Sequence, residues 1–230
     1  MERVKWERWN RRARGPDGVG GDPAHLLLAL EHPLRSPVRS ADLATADAVE
    51  AEAIVDAAAV FPQSVGSGGP TPTGVILWTR VAPDAYRPDA SLGLTVAEDP
   101  DFESVVARSA VPASEFGPEH DHTVRVDLDG ELEPDGRYHY RFRYDGVESR
   151  TGRCRTLPAP GSSPERLRLA VVSCQHYQNG YFGAYGHVAD ADVDFVLHLG
   201  DYLYESADQR YRAPGAPVYE GRELSLPSGH

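Results

Sequence analysis

The sequence predicts a chain of mixed class: an all-β sandwich followed by the start of an α/β domain. Three observations predict it. Short alternating strands, punctuated by Gly and Pro, crowd residues 61–158. Two apolar runs, Leu167 to Val172 and Val193 to Leu199, are separated by about one helix's length of chain, as in a β-α-β unit. Between these patterns lies Leu157 to Pro164, a linker with Pro158, Pro160, Gly161 and Pro164. The expected organisation is an N-terminal extension over 1–60, helical or irregular, the sandwich over 61–158, and an incomplete α/β domain over 165–230.

Composition sets the outer bounds. The 230 residues carry a net charge of −12, which argues against nucleic acid or an anionic membrane surface as a partner. Hydrophobic content of 40% is compatible with a packed core. Basic charge is almost all arginine, Lys5 excepted, and this points weakly to a GC-rich or salt-adapted source. No apolar run approaches the ~20 residues of a membrane span. Arg11-Arg12 invites a twin-arginine export reading, but Ala13-Arg14-Gly15-Pro16-Asp17 follows instead of an apolar segment. The pair reads as a solvated basic start. No signal peptide is visible, so a cytoplasmic location is expected if the N-terminus is complete.

Residues 1–40 read as a loosely ordered extension, with a Gly-rich bend at Gly15 to Gly21. From Ala41 to Phe61 a helix is expected. Asp42 suits its N-cap, Leu43, Ala46, Val49, Ala53, Ile54 and Ala57 recur at helical spacing, and Pro62 ends it. Gly66 to Gly74 is rich in Gly, Pro, Ser and Thr and reads as a loop.

Strands follow. Val75 to Trp78 is apolar throughout, and Leu92 to Val96 and Val124 to Leu128 alternate. Arg137 to Tyr144 alternates most clearly, with aromatics on one face and charged or polar residues on the other. Asp145-Gly146 marks a hairpin into Glu148 to Thr156. About seven short strands in roughly 95 residues fit a β-sandwich. Leu132, Pro134 and Tyr138 resemble the Leu-x-Pro-x-x-x-Tyr corner of fibronectin type III-like domains, in which the tyrosine hydroxyl ties back to the chain. The aromatics of this region read as core. Cys154 reads as a small buried hydrophobe, and its position in the sandwich argues against a disulfide with Cys174.

Chemistry concentrates after the linker. The first apolar run stops at Ser173-Cys174-Gln175-His176 and the second at Gly200-Asp201-Tyr202-Leu203-Tyr204. Parallel strands bring both carboxyl ends to one edge, where ligands gather. Taken singly, Cys174 suits an inert thiol, Asp201 a helix cap and Tyr204 packing. Taken together, a thiolate, a carboxylate and a phenolate make a donor set for a hard trivalent ion such as iron. His198, within an apolar strand, reads as a satisfied core histidine, and Asn179-Gly180 as the turn before the helix.

Gly200-Asp201-x-x-Tyr204 resembles the motif of calcineurin-like metallophosphoesterases of the purple acid phosphatase type. Ser173-Cys174-Gln175 with His198 to Glu205 is similar to the alkaline phosphatase D, or PhoD-like, family, in which a cysteine replaces the usual first aspartate. Gly69 to Pro72, Val75 to Arg80 and Leu132 to Thr156 resemble that family's N-terminal sandwich. The resemblance covers about Phe61 to His230. It implies that Cys174, Asp201 and Tyr204 are ligands of ferric iron (Fe3+) and that Asp201 bridges to calcium (Ca2+). It also implies hydrolysis of phosphate mono- or diesters. His176 stands where many related phosphoesterases place a metal-binding histidine, which the PhoD-like pattern does not require.

The family's later Asn, Asp and His ligands have no counterpart before His230. The final ten residues, from Gly221, read as loop, and a two-stranded sheet cannot bury a core. The expectation is an N-terminal portion of such an enzyme, inactive alone and lacking a C-terminal half, although family members are often exported. The rival reading is a non-catalytic sandwich serving as a binding module beside a remnant phosphoesterase segment.

Overall fold

The computed structural model describes residues 56–204 and 219–224. These fall into two compact units, with the division between Glu165 and Arg166. The helix expected from Ala41 is helical at residues 56–60, where Phe61 N–H donates to the Ala57 carbonyl at 2.7 Å; the remainder of that expectation lies outside the described residues.

The first unit holds two sheets around one core. Strands β1 (Val65–Thr71), β2 (Gly74–Arg80) and β5 (Thr123–Asp127) form an antiparallel sheet in the order β1-β2-β5. The second sheet joins β3 (Leu92–Ala97), β4 (Val105–Val111), β6 (Arg137–Tyr144) and β7 (Val147–Glu148) in the order β4-β3-β6-β7, and β8 (Gly152–Arg155) also pairs with β6. Both sheets contribute to the same cluster of buried side chains. Val65, Val75, Leu77, Val124 and Val126 come from one; Leu92, Leu94, Val96, Tyr138, Tyr140, Phe142, Tyr144 and Cys154 come from the other. The period of two in β6 dictates this, since every second residue from Tyr138 to Tyr144 faces inward. Full burial of a side chain such as Phe142 stabilises by roughly 1.5–3 kcal/mol relative to exposure.

Two strands depart from the sequence reading. Gly66 to Gly74 is not a loop: most of it belongs to β1, which pairs Gly66 with Trp78 and Gly68 with Ile76 before its register shifts ahead of Thr71. β1 lies at a sheet edge, where Pro70 and an irregularity do little harm to the ladder. Gly74 is required by close approach, because a Cβ there would fall 2.3 Å from Asp129 Cα. β4, VVARSAV at the edge of the other sheet, is a strand that the sequence pattern does not single out.

The corner at Leu132 closes as expected. Leu132 and Tyr138 are buried, and the Tyr138 hydroxyl accepts from Glu133 N–H at 3.0 Å. Burial pushes the Tyr138 and Tyr144 phenols above their ordinary values. The Tyr144 hydroxyl accepts from Arg87 N–H at 2.7 Å, so neither ring carries an unsatisfied polar end into the core. The sandwich extends to Leu157, whose N–H donates to Thr71 and whose carbonyl accepts from Asp135 N–H at 3.0 Å. Residues 159–169 are exposed throughout.

The second unit is a β-α-β arrangement. β9 (Leu169–Val172) and β10 (Phe195–His198) run parallel, with Leu169 opposite Phe195 and Val172 opposite His198. Between them come a 3-10 turn at Tyr177–Asn179 and helix α1 (Gly183–Asp190). Among the described residues, none after Thr156 is buried. None of the described helices is long and apolar enough to cross a membrane.

Candidate metal centre

The candidate site lies beyond the carboxyl ends of β9 and β10. Pairing of the two chains continues past the strands. Leu199 N–H donates to the Val172 carbonyl at 2.9 Å, Cys174 N–H to Gly200 at 3.1 Å, and Gln175 N–H to Asp201 at 3.1 Å. These bonds hold the two post-strand turns side by side, which brings together residues 27 positions apart.

Cys174, Asp201 and Tyr204 meet on one atom. The Cys174 thiol donates to Asp201 Oδ2 at 3.4 Å, and the Tyr204 hydroxyl donates to the same oxygen at 3.3 Å. All three residues named from the sequence are therefore in one cluster. Desolvation, then the hydrogen bond with Cys174 and the negative charge of Asp201, push the Tyr204 phenol up to about 12. Two protons thus point at one carboxylate oxygen. A cation can replace both, because metal binding displaces protons from thiol and phenol donors. The donor set fits a hard trivalent ion with tolerance for thiolate.

The backbone holds two of these residues in an unfavourable conformation. Cys174 has φ 61° and Asp201 has φ 51°, both in the left-handed region. Aspartate tolerates this region better than cysteine does. Each such position costs on the order of 1–3 kcal/mol and is characteristic of functional sites. Gly200, between β10 and Asp201, has φ 123°, and no described protein atom lies within 4 Å of the position its Cβ would take. The positive φ is what calls for glycine at this position.

The neighbours are equally specific. The His176 ring lies 4.5 Å from that of Tyr204, while its Nδ1 accepts from Gln178 N–H at 3.2 Å and caps the following turn. His198 is half-buried and its Nδ1 accepts from Gly200 N–H at 3.2 Å. Asn179 and Gly180 do make the turn before α1. Gln175 had no role in the sequence reading. Its Nε2 donates to the Tyr202 carbonyl at 3.0 Å and its Oε1 accepts from the Tyr185 hydroxyl of α1, so it braces the Asp201 turn against the helix. Its place beside Cys174 was the available signal. Cys154 is a separate matter: it is a free, buried thiol pushed up to about 12 by burial, hence unreactive. Cys174 is also free, but exposed. Among the described residues no group of three or more His, Cys, Asp and Glu side chains is placed to hold a metal.

Comparison with known proteins decides the family. The sequence model described as "PhoD-like phosphatase, N-terminal domain" matches residues 45–158, and that described as "PhoD-like phosphatase" matches residues 169–226. The chain belongs to the PhoD-like phosphatase family. It is 40% identical over 157 residues to alkaline phosphatase D of Bacillus subtilis (strain 168), a match covering 66% of this chain and 26% of that protein. The solved structure of PhoD superposes with a TM-score of 0.63 at 36% identity, covering 72% of this chain and 33% of the other. The chain thus spans about a quarter of the curated relative's length. Both Cys174 and the Asp201–Tyr204 turn fall within the second match.

Proposed function

We propose that this chain contributes the first metal-holding cluster of a metal-dependent phosphatase or phosphodiesterase acting on phosphate mono- or diesters. Cys174, Asp201 and Tyr204 would hold ferric iron, and Asp201 would bridge to calcium. Such ions supply Lewis acidity to a phosphate ester. The observation that carries the reading is the convergence of Cys174 Sγ and the Tyr204 hydroxyl on Asp201 Oδ2, with Cys174 and Asp201 both held at positive φ.

The chain's own residues have distinct tasks. To hold a cation, Cys174 would give up its Sγ proton and Tyr204 its phenol proton to solvent, the two protons they now direct at Asp201 Oδ2. Asp201, freed of those donors, presents its carboxylate to cations. Gln175 keeps the two ligand-bearing turns in register through Tyr202 and Tyr185. The His176 ring packs on Tyr204 and limits the phenol's rotation.

Phosphoryl hydrolysis with two ions needs ligands on both sides of the phosphate. The described residues supply one cluster, so the 230-residue chain alone is expected to show no turnover of an aryl phosphate or an aryl diester, with iron and calcium supplied. Turnover that disappears in Asp201→Ala would overturn this and make the chain a sufficient catalyst. Iron bound in proportion to protein, and lost in Asp201→Ala, supports the cluster independently of turnover.

A further inference from the structure

Arg222 lies in the second unit, in a short segment that the sequence reading left as loop. Its guanidinium carbon is 4.2 Å from the ring centroid of Tyr177, 4.7 Å from Phe182 and 5.2 Å from Tyr181. The segment is fastened to those rings. The Tyr181 hydroxyl donates to the Glu220 carbonyl at 2.8 Å, and the Tyr177 hydroxyl to Gly221 at 3.3 Å. Tyr219 adds an edge-on contact to Tyr181, with centroids 5.4 Å apart.

Among the described residues Arg222 has no acidic partner. Glu220 and Glu223 flank it, yet among the described residues no carboxylate pairs with Arg222, and its Nε is buried without an acceptor. In a chain of net charge −12, a guanidinium fixed on aromatic rings with no acidic partner among the described residues stands out. Aromatic faces hold the cation by its π surface. They leave the N–H fork, which lies in the guanidinium plane, available to two oxygens of one anion. The aromatic platform follows the candidate ligands directly: Tyr177 succeeds His176, whose ring contacts Tyr204.

We propose that Arg222, stacked on Tyr177, Tyr181 and Phe182, is an anion-recognition residue that grips phosphate oxygens of the substrate beside the Cys174–Asp201–Tyr204 cluster. This rests on the phosphoesterase reading for the identity of the anion. It adds a binding residue that acts through charge and geometry and does not require a metal.

The test titrates inorganic phosphate into the 230-residue chain, once after chelation and once after iron loading, with Arg222→Met and Arg222→Lys compared. Methionine retains apolar contact with the rings and removes the charge; lysine retains charge and loses the fork. Losing a charge-assisted hydrogen-bonded pair predicts phosphate affinity lowered about tenfold or more in Arg222→Met. Arg222→Lys should fall in between, and iron uptake should be unchanged in both. Affinity of Arg222→Met within about twofold of wild type would overturn the proposal. So would undetectable phosphate binding by the wild type in both metal states, or a parallel loss of iron uptake, which would mark Arg222 as a structural strap. Should Arg222→Met not fold, Arg222→Lys decides, and wild-type affinity there overturns it. If the wild type takes up no iron, the metal reading fails, while the chelated arm still reports on Arg222.

Discussion

The two units solve opposite problems. The sandwich buries Leu77, Leu92, Val96, Tyr140, Phe142 and Tyr144 completely. In the β-α-β unit Leu169, Val171, Leu197 and Leu199 are each at least half exposed. One unit is held by burial. The other is held by hydrogen bonds between turns, and those bonds maintain unfavourable backbone at Cys174 and Asp201. Positive φ occurs in the sandwich too, at Gly69 within β1 and at turn positions such as Asp121, Asp135 and Asp145. In the second unit it falls on Cys174 and Asp201, whose side chains hydrogen-bond to each other. The buried core and the candidate metal cluster therefore lie in different parts of the chain, and mutations should separate them.

The largest expected effect is in the sandwich. Phe142→Ala should cost about 3–5 kcal/mol in denaturant unfolding. Leu197→Ala, at a half-exposed site, should cost less than about 1 kcal/mol. Equal losses would erase the contrast between the units.

Next comes Asp201→Ala. It should lower ferric affinity more than about 100-fold, beyond what loss of an outer-sphere partner does. The sandwich should keep its unfolding midpoint. A shifted midpoint would mean that the candidate cluster also supports the first unit.

A smaller effect is a pH dependence within the sandwich. Tyr138 and Tyr144 have phenols raised by burial above the ordinary value of 10.0. They bind protons more tightly folded than unfolded, so the stability they contribute is complete below pH 10 and is lost as pH rises through their folded values. Tyr138→Phe should flatten that alkaline loss while costing about 1 kcal/mol at neutral pH for the corner hydrogen bonds. An alkaline profile identical to wild type would remove Tyr138 as a contributor.

The smallest effect is local. Limited proteolysis should cut first within residues 159–168, which are exposed, and spare the sandwich up to Leu157. Early cleavage inside Arg137 to Tyr144 would contradict the packing of β6.

Much of this division was legible in the residues. The alternation in β6 and the Leu132–Tyr138 corner are local patterns that burial enforces. β1 was not legible, because Gly66, Gly68, Gly69 and Pro70 read as punctuation when an edge strand tolerates them. Cys174, Asp201 and Tyr204 could be chosen because each follows a strand at a recognisable spacing. The left-handed turns that aim two of them could not be read, since Cys174 does not advertise positive φ as glycine would. Arg222 was invisible for a different reason: its partners lie some 40 positions earlier, and stacking on rings leaves no periodic trace.

The claim at the centre of this account is that Tyr204 is a ligand and not a packing residue. Visible absorption of the iron-loaded chain tests it most directly, alongside near-ultraviolet circular dichroism. The account predicts a phenolate-to-iron charge-transfer band in the wild type that vanishes in Tyr204→Phe, with the circular dichroism of the sandwich aromatics unchanged. A colourless wild type, or a band that survives Tyr204→Phe, would contradict it and favour a sandwich acting as a binding module.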